Sequence, residues 1–89
     1  MPEATKEYAR KIEGLEVQAI GNRVVVYEIV SDRIHYLNPT AALIFELCDG
    51  NRSTEDLARL VQEAYGLEEA PVDDVVKGLA KLRTSGIVV

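Results

Sequence analysis

The sequence has a single cysteine, a single histidine and no tryptophan, and each scarcity removes a class of chemistry. One thiol, Cys48, cannot form an internal disulfide, so stability has to come from packing. His35 has no companions: a zinc-type site wants roughly four clustered Cys, His or carboxylate ligands, and no such spacing occurs. Neither a metal nor another cofactor is therefore expected. Cys48 closes an apolar helical pattern while His35 falls in a strand pattern, so the thiol reads as a packing group rather than a nucleophile.

Long apolar runs are also missing. The longest, at positions 24–27 and 41–45, fall far short of the ~20 residues that span a bilayer, so no membrane segment is expected. The stretch Met1-Pro2-Glu3-Ala4-Thr5-Lys6-Glu7 is polar and lacks the apolar core of a secretory signal, which implies a cytoplasmic protein. Positive charge is scarce too: the net charge is −5. Between Ser53 and Gly86, Glu55, Asp56, Glu63, Glu68, Glu69, Asp73 and Asp74 face only Arg59, Lys77, Lys81 and Arg83. Such a surface repels phosphate, so a nucleic-acid partner is not expected.

What is present is a globular composition, 47% apolar and 28% charged over 89 residues, enough for one domain. Residues 1–14 read as a polar N-terminal arm and 15–89 as the domain. Leu15-Glu16-Val17-Gln18-Ala19-Ile20 alternates as a half-buried strand does. Gly21-Asn22 suits a two-residue hairpin turn of type II′. The second strand, 23–30, is apolar on both faces, which suits a central position; Ser31-Asp32 turns the chain, and the third strand, 33–37, becomes an edge.

Asn38-Pro39-Thr40 starts a helix, with Asn as cap and proline at the first helical position; the helix runs almost wholly apolar to Cys48. Ser53 caps a second helix with the stripe Leu57, Leu60, Val61 and Ala64. Pro71 opens a third, with the stripe Val72, Val75, Val76, Leu79 and Leu82, and Gly86 ends it. The tail Ile87-Val88-Val89 is expected to return onto the core. The fold class is α+β: a three-stranded antiparallel sheet followed by three helices, winged-helix-like in outline.

An edge strand carries free N–H and C=O groups that an incoming extended segment can complete. Closure of that edge by a second copy of the chain, a self-associating homodimer, is the alternative, and a winged-helix DNA-binding protein a more distant one. Asp73 and Asp74, the nearest thing to a catalytic acid pair, point about 100° apart on a helix and suit the first turn as partners of the macrodipole.

The stretch Tyr36-Leu37-Asn38-Pro39-Thr40-Ala41-Ala42-Leu43-Ile44-Phe45-Glu46-Leu47-Cys48-Asp49-Gly50 resembles the signature of the PqqD-like family. Arg52-Ser53-Thr54-Glu55-Asp56-Leu57, Val72-Asp73-Asp74-Val75, Leu79, Leu82 and Gly86-Ile87 continue the likeness, which runs from about Leu15 onward. The resemblance implies a non-catalytic recognition element for ribosomally synthesised, post-translationally modified peptides. Such an element binds the leader of a precursor peptide and presents its core to a modifying enzyme, a radical SAM protein being one candidate class. It also implies that the leader adds as a strand along 32–37 and lies against the helix 71–85. On that basis the candidate peptide-binding residues are Arg33, Ile34, His35 and Tyr36 on the strand, and Val76, Leu79, Ala80 and Arg83 on the third helix; of these, Leu79 has the strongest competing role, as core.

Overall fold

The computed structural model describes residues 8–89. Strands β1 (Leu15–Ile20), β2 (Arg23–Glu28) and β3 (Arg33–Leu37) form one antiparallel sheet in the order β1-β2-β3. Helices α1 (Pro39–Leu47), α2 (Thr54–Tyr65) and α3 (Val72–Ser85) follow, giving the α+β class that the residue pattern implies. In the β1–β2 turn only Gly21 has positive φ, 63°, and Ile20 sits opposite Arg23, as a type II′ hairpin requires.

The second strand is shorter than its β-branched composition suggests. It stops at Glu28; residues 29–32 form the turn, with Val30 95% exposed, Asp32 at φ 61° and the Asp32 N–H bonded to the Glu28 carbonyl at 2.8 Å. Propensity favours extending Ile29 and Val30. However, the register that sets Arg33 opposite Glu28 leaves these residues to reverse the chain.

Asn38 and Pro39 behave as their types dictate: the Asn38 side chain accepts from the Ala41 N–H at 2.8 Å and Pro39 opens α1. α1 supplies Ala42, Ile44 and Phe45 to the core and ends at Leu47, with Cys48 as its cap rather than its last residue. Ser53 and Asp56 close a reciprocal capping box on α2 with bonds of 3.1 Å, and Gly66 ends that helix at φ 64°. Its buried face is Leu57, Ala58 and Val61, with Leu60 only half-buried and Ala64 exposed. Pro71 stands just before α3, at the cap, not at its first helical position. Of the expected α3 stripe, Val75, Leu79 and Leu82 are buried while Val72 and Val76 are exposed. α3 packs on α1 and α2 from one side only, so a narrow stripe suffices.

Residues 9–12 are tied into the fold. Ala9 is buried, its carbonyl accepts from Gly50 at 2.9 Å, and Lys11 donates its N–H to the Cys48 carbonyl. Arg10 exchanges two bonds with Val89, at 3.1 and 2.9 Å, and Ile12 donates to the Ile87 carbonyl. The segment thus clips the end of α1 to the C-terminal tail, whose Ile87 and Val88 are fully buried, as expected of an apolar return. Residues 1–7 of the expected polar arm lie outside the described residues.

Candidate peptide-binding groove

In an antiparallel ladder, residues along one strand alternate in the side to which their N–H and C=O point. The Ile29 N–H bonds to the Gly14 carbonyl at 3.0 Å, one step beyond the pair Leu15–Glu28. By alternation, Tyr27, Val25 and Arg23 also direct their backbone groups to β1, and Glu28, Val26 and Val24 direct theirs to β3. Their partners Arg33, His35 and Leu37 are thereby used up. Ile34 and Tyr36 are left with backbone groups aimed at the open edge.

Side chains follow the opposite logic. Leu37 and His35 point to the helix side of the sheet, together with fully buried Val26, whereas Ile34 and Tyr36 project from the outer face, 53% and 67% exposed.

α1 underlies β2 and β3, and α3 packs on α1, so α3 runs alongside the β3 edge without closing on it. Between them lies a groove of about 370 Å³ lined by Tyr36, Leu37 and Asn38 from the end of β3, by Thr40, Ala41 and Ile44 from α1, and by Asp74, Lys77, Gly78, Lys81, Leu82 and Ser85 from α3. Arg33 ties the two walls together at one end, donating to the Ser85 carbonyl at 2.9 Å. A second hollow of about 230 Å³, lined by Val61, Tyr65, Leu67, Pro71 and Val75, shares Thr40 and Asp74 with the first.

Of the strand residues named from sequence, Arg33 and Tyr36 border the groove, Ile34 offers its edge backbone, and His35 turns inward to bond Glu28. On α3 the picture differs. Leu79 is buried core. Val76, Ala80 and Arg83 are exposed on another face; Arg83 lies close enough to Cys48 for its charge to oppose the upward push of burial on that thiol. The face turned to the groove is Asp74, Lys77, Gly78, Lys81 and Ser85. These residues also recur at helical spacing, but as polar residues they read as a solvated face. The one available signal was Gly78, a glycine inside a helix where alanine is worth ~1 kcal/mol more. A Cβ there would meet the Ile44 side chain at 3.0 Å, so the glycine lets α1 approach α3 beneath the groove.

β3 is held in place by Glu28. Its carboxylate meets His35 Nε2 at 2.5 Å and accepts from Arg33 Nε at 3.1 Å and from Ser31 Oγ at 3.0 Å, with the Glu28 side chain 13% exposed. The bond with His35, joined by those from Ser31 and Arg33, lowers the Glu28 pKa against the opposing pull of desolvation. A carboxyl with a lowered folded-state pKa contributes stability above its unfolded value, about 4.5, and loses it as pH falls through the folded value. Melting temperature followed from neutral pH into acid should therefore drop in that window more steeply for the native chain than for Glu28→Gln. Parallel curves would remove Glu28 as the acid-sensitive tether.

Among the described residues no helix is long and apolar enough to cross a membrane, and no group of His, Cys, Asp and Glu is placed to hold a metal.

Comparison with known proteins agrees with this architecture. TbiB1, solved in complex with the TbiA(beta) leader peptide, superposes with a TM-score of 0.72 at 15% identity over 89% of this chain and 93% of its own. Lasso peptide synthetase B1, complexed with the leader peptide, gives 0.73 at 23% identity over 92% and 98%. Both share the fold. No curated protein matches. The family model for coenzyme PQQ synthesis protein D matches residues 23–88, from β2 through the buried tail, and so takes in β3, all three helices and every residue lining the groove. The chain belongs to the PqqD family.

Proposed function

We propose that this protein is a non-catalytic recognition element that captures the leader of a ribosomally synthesised precursor peptide as an added strand on β3 and holds it for a modifying enzyme. The observation that carries this reading is the open edge itself: the backbone groups of Ile34 and Tyr36 face outward beside a groove walled by α3. Family membership supports it, as does the fact that both similar structures are complexes with leader peptides. The only thiol is buried and its pKa is pushed up by that burial, which favours binding over catalysis. The role calls for a cytoplasmic setting, where a ribosomal precursor is made.

Strand addition along β3 forms about four to six backbone hydrogen bonds worth ~1 kcal/mol net each, and one or two apolar anchors add ~1.5–3 kcal/mol apiece. Ordering the peptide and the loss of translational freedom oppose these terms, so micromolar to sub-micromolar affinity is expected. Titrating the isotopically labelled chain with the leader of its cognate precursor should move the amide resonances of residues 33–37 and of the α3 face bearing Lys77 and Lys81. Shifts confined to β1 or α2 would refute this site.

A further inference from the structure

The groove is positively charged in a negatively charged protein. Lys77 and Lys81 line it against a single lining acid, Asp74; both lysines are exposed and neither enters an ion pair with another described residue. Resting on the strand-addition reading, we infer that the guest is an acidic amphipathic strand, with carboxylates at two successive inward positions meeting Lys77 and Lys81 and apolar side chains at the intervening outward positions.

Geometry fits both halves of that pattern. Residues four apart on a helix rise about 6 Å, close to the roughly 6.6 Å between alternate residues of a strand, so one carboxylate can address each lysine. Inward guest side chains enter the groove toward α3. Outward ones stand next to Ile34 and Tyr36, whose exposed side chains give an apolar guest residue a cross-strand neighbour. α3 runs antiparallel to β3, from Asp74 near Thr40 to Ser85 near Arg33. The attraction for acid is therefore confined to the part of the groove nearer Arg33, and Asp74 turns acid away at the other end. Aspartate or glutamate bunched toward one end of the bound segment is the resulting signature.

Fluorescence anisotropy and amide-shift mapping with the full chain test this, using three capped synthetic peptides: Ser-Val-Glu-Val-Glu-Val-Glu-Ser and its counterparts with glutamine or lysine in place of glutamate. At low salt the glutamate peptide should bind about fivefold more tightly than the glutamine one, as two partly exposed charge pairs allow, and more tightly still than the lysine one. Lys77→Glu combined with Lys81→Glu should invert the order of the glutamate and lysine peptides while leaving the circular dichroism spectrum unchanged, since both side chains are exposed. If glutamate and glutamine peptides move the β3 amides with equal affinity, the charge reading fails and strand addition stands. If none of the three peptides moves those amides, both fail together.

Discussion

Ile34→Pro is expected to weaken leader binding severely while the domain stays folded, whereas His35→Pro, one residue along, is expected to unfold the edge of the sheet. The contrast follows from the ladder. Ile34 points its N–H at the open edge, so proline there removes no bond to β2. It does remove the donor that a guest strand needs, and it places a ring where the guest backbone must approach. Loss of one bond at ~1 kcal/mol, together with the disturbed register of its neighbours, should weaken binding by roughly thirtyfold or more. His35 instead spends its N–H on Val26 in the middle of the sheet. Proline there deletes a ladder bond and displaces the imidazole from Glu28, at a cost of roughly 3 kcal/mol. Calorimetric titration and thermal melts of the two variants separate the effects. Normal binding by a folded Ile34→Pro protein would show that the guest does not use this edge.

The parts of the fold that were legible in the sequence are those where one physical demand dominates. The strand at residues 15–20, the Gly21-Asn22 turn, the Asn38-Pro39 helix start and the Ser53 cap each follow from a local rule and are found in place. The half-burial that the alternation of 15–20 implies is not: no helix contacts β1 closely, only Leu15 is partly covered, and residues 16–20 are exposed. The free edge of β3 followed from strand count alone. The groove wall did not, because hydrophobic periodicity locates the face a helix buries and is silent on which polar face opposes a neighbour across a gap. Val76, read from periodicity as part of the buried stripe, and its neighbour Ala80 lie away from the cleft, which the polar row through Lys77 and Lys81 borders instead. Docking of residues 9–12 was hidden for a related reason. That segment is held chiefly by backbone bonds to Cys48, Ile87 and Val89, and backbone groups leave no mark on composition. At Ile29 and Val30 β-propensity pointed one way and the geometry of reversal another, and reversal prevailed.

Phe45→Ala should have the largest effect on stability of any substitution considered, a loss of about 3–5 kcal/mol. The ring is fully buried in the core cluster, on the helix lying between the sheet and the other helices. It also sits 5.6 Å from the ammonium of Lys11, whose Nζ donates to the Glu46 carbonyl at 3.0 Å, so the cavity would open beneath the N-terminal clip as well. For a domain of this length each kcal/mol moves the melting point by roughly 4–8 °C, which predicts a drop of at least ~12 °C. A domain this small has a total stability near the low end of ~5–15 kcal/mol, so a large unfolded fraction at physiological temperature is expected. Phe45→Leu, which keeps most of the volume, should lose far less. Phe45→Ala also connects stability to function. A leader that binds only the folded state adds ~2.7 kcal/mol at a hundredfold excess over its Kd, enough to offset most of the Phe45→Ala loss at the lower end of its range. Refolding of Phe45→Ala by the leader, followed by circular dichroism, should therefore succeed, and it should fail when Ile34→Pro is added to the same chain. Rescue that survives Ile34→Pro would mean that the stabilising contact lies away from β3.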